Sequence, residues 1–135
     1  MRTQAAIITG KLIHQTIKVL NYGGGSAAPG LYALKIDPRL IETVSKQIPN
    51  SIIITGTNGK TTTAKMLASF AEQAGIKTLR NVTGSNLERG IASALLHRKS
   101  DQTLAIWEVD EAAFNVLAPK IKPKLVIFLN IFRDQ

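Results

Sequence analysis

The tightest constraint in this sequence is a junction near its middle. Ser51-Ile52-Ile53-Ile54-Thr55, a β-branched run, passes directly into Gly56-Thr57-Asn58-Gly59-Lys60-Thr61-Thr62. So short an apolar run suits a strand buried on both faces, as in a parallel sheet. Gly56 and Gly59 allow a tight turn with several backbone N–H groups pointing inward. The helix expected from about Lys60 adds its positive dipole end, so the loop is suited to an anion. Lys60 supplies an ammonium for β- and γ-phosphates, and the Thr61 hydroxyl can ligate Mg²⁺. The general phosphate-loop pattern has a glycine five residues before Gly59, where this chain has Ile54. The loop is therefore a compact variant beginning at Gly56. A plain strand–turn–helix would account for the glycines, but not for Gly-Lys-Thr-Thr directly after a buried strand.

The flanking sequence repeats the alternation. After the helix from about Lys60 to Ala74, with Met66, Leu67, Phe70 and Ala71 as its inner face and Gly75 as C-cap, the pattern predicts a strand over Lys77 to Val82. A helix over Leu87 to His97, a strand over Thr103 to Val109, a helix over Glu111 to Leu117 and a strand over Leu125 to Ile131 follow. Strands alternating with helices imply right-handed crossovers and an α/β fold with a parallel sheet. Ligands in such folds lie just outside the carboxyl ends of the strands. The chain stops at Arg133-Asp134-Gln135, directly after the last expected strand, and so reads as a truncated piece.

Residues 1–49 are different. Residues 3 to 20 read as a helix: Ala5, Ile8, Leu12, Thr16 and Leu20 fall at spacings of three or four, and Ile13 and Ile17 widen the same stripe. Asn21 to Ser26 should form a flexible loop running on to Pro29-Gly30. A second helix is expected from Asp37, with Pro38 at its first position and Leu40, Ile41, Val44 and Ile48 inward, ending at Pro49-Asn50. The division is thus an N-terminal helical arm, 1–49, and the first part of a nucleotide-binding domain, 50–135.

The chain has 135 residues, enough for one domain, and its 44% hydrophobic content can build a core. Zero cysteines exclude a disulfide framework or thiolate metal site here and fit an intracellular protein. No apolar run approaches bilayer-spanning length, and Lys11, His14, Gln15 and Lys18 break up the N-terminal segment as a signal sequence. The net charge of +8, from 17 Lys+Arg against 9 Asp+Glu, invites a polyanion partner. The basic residues are scattered and aromatics make up only 5%, which argues against nucleic acid. The first helix, with Lys11, His14 and Lys18 beside its stripe, could instead touch an anionic membrane face, although packing against its own domain is the ordinary fate of such a stripe.

Ala105-Ile106-Trp107-Glu108-Val109-Asp110-Glu111 places three carboxylates at the end of a strand. An acidic residue at a neighbouring strand end completes the Mg²⁺ shell in phosphate-loop enzymes, and Glu108 is the choice here. Asp110 and Glu111 serve equally well as N-cap and first-turn acids of the following helix.

Together these residues resemble the Mur ligase superfamily, which includes the folylpolyglutamate synthetases. Thr55-Gly-Thr-Asn-Gly-Lys-Thr-Thr62 is similar to its compact nucleotide loop, Glu108-Val109 to its strand-end pair, and Asn130 to Gln135 to a stretch that in most Mur ligases ends Asp-His. With Gln135 in place of that histidine, the resemblance does not carry a metal contact to this position. Gln135 points to the Mur-like synthetase subunits of lipid II isoglutaminyl synthases, as do Thr83 to Asn86, Gly90 to Ala94, Glu108 to Ala112, and an arm in place of a UDP-binding domain. The resemblance implies ATP and Mg²⁺ as cofactors and Gly56, Thr57, Asn58, Gly59, Lys60, Thr61 and Thr62 around the nucleotide. It implies Lys60 and Glu108 as catalytic, Thr61 and Glu108 on the metal, and Asn86 and Asn130 at the substrate. It further implies amidation of a D-glutamate α-carboxylate in the lipid II stem peptide through an acyl phosphate. Ammonia would come from a glutaminase partner, in the cytoplasm or at the inner membrane face, with any zinc-ribbon insertion beyond Gln135. An amino-acid-adding Mur ligase or folylpolyglutamate synthetase, a plain phosphate-loop NTPase, and a non-catalytic nucleotide-binding fragment stand as alternatives.

Overall fold

A computed structural model describes residues 1–19, 27–82 and 85–130. The elements run α1 (Arg2–Val19), α2 (Ala28–Ile36), α3 (Leu40–Ser45), β1 (Asn50–Thr55), α4 (Lys60–Gln73), β2 (Thr78–Arg80), α5 (Glu88–Leu96), β3 (Leu104–Val109), α6 (Glu111–Ile121) and β4 (Leu125–Phe128). The strands form one parallel sheet in the order β2-β3-β1-β4. The α/β fold, parallel sheet and helical N-terminal region are those the sequence pattern implies. Thr55 lies level with Val109 of β3 and Phe128 of β4, so the loop after β1 sits at the carboxyl edge of the sheet.

Strand alternation sends neighbouring residues to opposite faces. Ile54 and Ile106 pack against Ala64 and Ala68 of α4. Ile53, Ala105, Trp107 and Val109 enter a larger core with Leu95 and Leu96 of α5, Leu117 and Ile121 of α6, and Ala6, Ala33, Leu40 and Ile41 of the first three helices. The arm and sheet therefore share one core. Leu40, Ile41, Val44 and Ile48 are all buried, as their spacing implies.

Several expectations change. The loop expected to run on to Pro29-Gly30 gives way at Ala28 to helix α2, and residues 20–26 lie outside the described part. Pro29 suits the first helical turn, and Gly30 is there for packing: a Cβ on it would fall 2.0 Å from the Arg89 carbonyl of α5. The helix expected from Asp37 begins at Leu40. Asp37 instead ends α2, accepting hydrogen bonds from the Arg39 N–H at 3.0 Å and the Thr3 hydroxyl at 2.6 Å.

On α1 the inward face is Ala6, Ile7, Gly10, Ile13 and Ile17, whereas Ile8 and Leu12 point outward. Small residues let α1 approach α5 closely, with a Gly10 Cβ falling 2.5 Å from Leu96 Cδ1. Likewise α4 buries Ala64 and Ala68, while Met66 and Phe70 are exposed. Helix α6 continues past Leu117 through Pro119, because Leu117 and Ile121 both bury against the core. Strand β2 is shorter than expected, and β4 ends at Phe128.

Candidate functional site

The loop between β1 and α4 has the backbone its glycines allow. Gly56 has φ 134° and Gly59 φ 88°, both in the region that favours glycine. At Gly56 a Cβ would also fall 2.7 Å from the Asn130 carbonyl. Asn130, just beyond β4, clamps the loop. Its side-chain oxygen accepts the Asn58 N–H at 2.9 Å, its amide donates to the Asn58 carbonyl at 3.1 Å, and its main-chain carbonyl accepts the Thr57 N–H at 3.0 Å.

Gly59 is the N-cap of α4 and makes no side-chain capping bond. The first N–H groups of a helix have no partner within it. Here that helix start opens on a cleft of about 280 Å³ lined by Thr57, Asn58, Gly59, Lys60, Thr61, Thr62 and Asn86. Lys60 folds back over the loop, donating to the carbonyls of Gly56 and Thr57, and its ammonium lies 3.5 Å from an Asp110 oxygen. Donor N–H groups, a retained ammonium and an open cleft fit a polyphosphate.

Glu108 shares the α4 face with Ile106 and is almost wholly buried. Its Oε2 accepts the Thr61 hydroxyl at 2.6 Å. Its Oε1 lies 3.2 Å from Arg80 Nη2. The neighbouring Asn81 fixes the backbone, its amide donating to the Glu108 carbonyl at 2.8 Å and its oxygen accepting the Glu108 N–H at 3.0 Å. Adjacent Thr61 and Glu108 oxygens line a second cleft beside the phosphate cleft, with Thr61 and Asn86 common to both, and form a hard-oxygen pair that would suit Mg²⁺. No cluster of three or more His, Cys, Asp or Glu suited to a metal occurs among the described residues. Any Mg²⁺ here would thus depend on hydroxyl and phosphate oxygens as well as the carboxylate.

Asp110 is the N-cap residue of α6, without a side-chain capping bond, and Glu111 begins the helix. The N–H of Glu111 itself and then the Thr57 hydroxyl, at 2.9 Å, hold the Glu111 carboxyl below its usual range. Asn86 lines the phosphate cleft and, through its carbonyl, receives the Asp110 N–H at 3.1 Å. The structure therefore gathers Gly56, Thr57, Asn58, Gly59, Lys60, Thr61, Thr62, Asn86, Glu108 and Asn130 at one edge of the sheet. Residues 131–135, which include the Asp-Gln pair, lie outside the described part. Arg80 and Asn81 escape sequence reasoning, because no local motif marks a strand-end pair whose partners are 28 and 27 residues away.

Comparison with known proteins agrees with this geometry. Residues 54–134 match the Mur ligase middle domain. Over its whole length the chain is 33% identical to the lipid II isoglutaminyl synthase (glutamine-hydrolyzing) subunit MurT of Streptococcus pneumoniae, covering 30% of that protein. It is 31% identical to the MurT subunit of Staphylococcus aureus strain COL, covering 31% of it. The chain thus spans about a third of the length of the curated relatives it matches. In fold it is similar to MurF from Acinetobacter baumannii, with a TM-score of 0.63 at 24% identity over 79% of this chain and 23% of that one. A middle-domain match over more than half the chain, built on this parallel sheet, places the chain in the Mur ligase family.

Proposed function

We propose that this chain carries the ATP site of an amide-forming ligase subunit in peptidoglycan synthesis, which amidates the D-glutamate α-carboxylate of the lipid II stem peptide. One observation carries the reading: Lys60 and the Thr61–Glu108 pair converge on an open helix N-terminus at the carboxyl edge of the sheet. Phosphoryl transfer needs positioning and charge neutralisation more than covalent chemistry from the protein. The N–H groups at the start of α4 and Lys60 hold the β- and γ-phosphates, and Asn130 keeps the loop in register. Thr61 and Glu108 hold Mg²⁺, which neutralises phosphate charge when bound. The substrate carboxylate attacks the γ-phosphorus and ADP leaves, giving an acyl phosphate. Ammonia then adds to the acyl carbon, phosphate departs, and a proton is lost to give the carboxamide.

The likeness of the whole of this chain to about a third of two MurT subunits supports ammonia, delivered by a glutaminase partner, as the nucleophile. In this reading residues 1–49 are a helical arm and 50–135 the first part of the ATP-binding domain. The work takes place in the cytoplasm, and outward-facing Ile8 and Leu12 beside Lys11 and Lys18 fit a peripheral contact with an anionic membrane surface. No described helix is long and apolar enough to cross a membrane.

The test uses the full-length protein with its glutaminase, ATP, Mg²⁺, glutamine and lipid II. Mass spectrometry of the stem peptide should find the α-carboxylate converted to carboxamide, with ADP released. A stem peptide lengthened by an amino acid would instead identify an amino-acid-adding ligase.

A further inference from the structure

Glu108 is an almost wholly buried carboxylate whose two oxygens are both engaged, one by the Thr61 hydroxyl and one by the Arg80 guanidinium. Its side chain is 5% exposed and that of Arg80 is 12% exposed. A buried carboxylate without a counter-charge is costly, and among the described residues the positive group within hydrogen-bonding range of Glu108 is Arg80.

The way Arg80 is held is unusual for a structural ion pair. Only Nη2 reaches Glu108, and Nε is buried with no hydrogen-bond partner among the described residues. The pair therefore lacks the two-pronged geometry that makes arginine–carboxylate contacts strong. Asn81 separately ties the backbone of Glu108 to the end of β2 with two hydrogen bonds. Arg80 can thus leave Glu108 by side-chain rotation alone, while the strand ends stay fixed. Space for that rotation exists on either side. Arg80 borders a cleft of about 270 Å³ shared with Thr61 and Glu108, and a cavity of about 410 Å³ that also has Glu72 and Gln102 in its wall.

We propose that Arg80 is a cation placeholder: its guanidinium neutralises Glu108 in the free protein and must vacate Oε1 when Mg²⁺ binds with nucleotide. This rests on the reading of Thr61 and Glu108 as the Mg²⁺ site. Arg80 is then a positioning residue that sets how much Mg²⁺ the site requires. It also prevents an uncompensated buried charge from loosening the sheet edge between turnovers.

The experiment measures thermal melting of the full-length protein across a Mg²⁺ series, with and without a non-hydrolysable ATP analogue. It compares wild type, Arg80→Met and Arg80→Gln, with Glu108→Gln and Arg80→Met/Glu108→Gln closing a double-mutant cycle. Without Mg²⁺, Arg80→Met and Arg80→Gln should melt below wild type. With the analogue present, their half-saturating Mg²⁺ should fall roughly tenfold, the effect of removing one competing charged hydrogen bond. In the Glu108→Gln background the Arg80 substitution should cost little stability. The same Mg²⁺ midpoint in wild type and in whichever Arg80 variant folds would overturn the placeholder while leaving the ATP site intact. So would an undiminished stability loss in the Glu108→Gln background. Absence of any Mg²⁺- and analogue-dependent stabilisation in wild type would overturn the ATP-site reading and this proposal with it.

Discussion

Lys60 is the ammonium folded over the phosphate loop, and Lys60→Ala should remove about 2–4 kcal/mol of transition-state stabilisation in the full-length protein. Substrate-dependent ATP hydrolysis is the readout, and a wild-type rate would refute the assignment. Glu108→Gln keeps the shape but removes the charge beside Thr61, so activity should drop and shift to higher Mg²⁺. Asn130→Ala removes both side-chain bonds to Asn58, which at about 1 kcal/mol each should weaken nucleotide binding by up to roughly thirtyfold in calorimetry. Lys60, Thr61 and the two glycines were legible because their spacing encodes a backbone shape. Glu108 was legible from its position at a strand end. Arg80 and Asn81 were not, since their roles come from pairing β2 with β3 across a long stretch of sequence. Asn130 was expected at the substrate. Its observed bonds are to the loop, a contact set by the pairing of β4 with β1.

Among the elements, the sequence was misleading where packing relies on small residues. Hydrophobic size marked Ile8, Leu12, Met66 and Phe70 as inward, yet all four are exposed while Ala6, Gly10, Ala64 and Ala68 make the contacts. Pro29-Gly30 resembled a loop because glycine there serves the close approach of α2 to α5, a reason invisible in one segment. Gly30→Ala should consequently destabilise the protein by about 1–3 kcal/mol, as overpacking against the backbone of Arg89 and Ser93. Denaturant midpoints at unchanged slope would measure it. The α1–α5 contact also includes His14 and His97, whose rings lie 4.4 Å apart. Burial, and then the nearby His14 and Lys11, hold the His97 pKa below its ordinary value. A histidine with a lowered folded pKa binds its proton more readily when unfolded. Its contribution is therefore present above the ordinary histidine pKa of about 6.5 and declines as pH falls below it. Because His97 keeps access to solvent, the effect should be small. Melting temperatures of wild type and His97→Gln should converge as pH falls through that range.

Across the whole molecule, the alternating pattern revealed the sheet, because burial on both faces demands apolar strands. Strand order was beyond the pattern. β1 lies between β3 and β4, both of which follow it in the chain by some fifty residues or more. The phosphate loop is likewise pinned by Asn130, 72 residues beyond Asn58. During synthesis, then, the ribosome releases Ile52, Ile53 and Ile54 well before either neighbouring strand exists, and the loop acquires its clamp only after β4 has emerged. Such distant pairings form slowly and leave strand edges open to other chains meanwhile. Ribosome-arrested chains halted before β4 should be cut readily by protease within β1 and should fail to retain a nucleotide analogue. Chains halted far enough past Asn130 for it to clear the ribosome should resist the protease. The nascent protein thus has an interval in which the three successive isoleucines of its future active-site strand are made but unpaired, an interval when a chaperone would matter most.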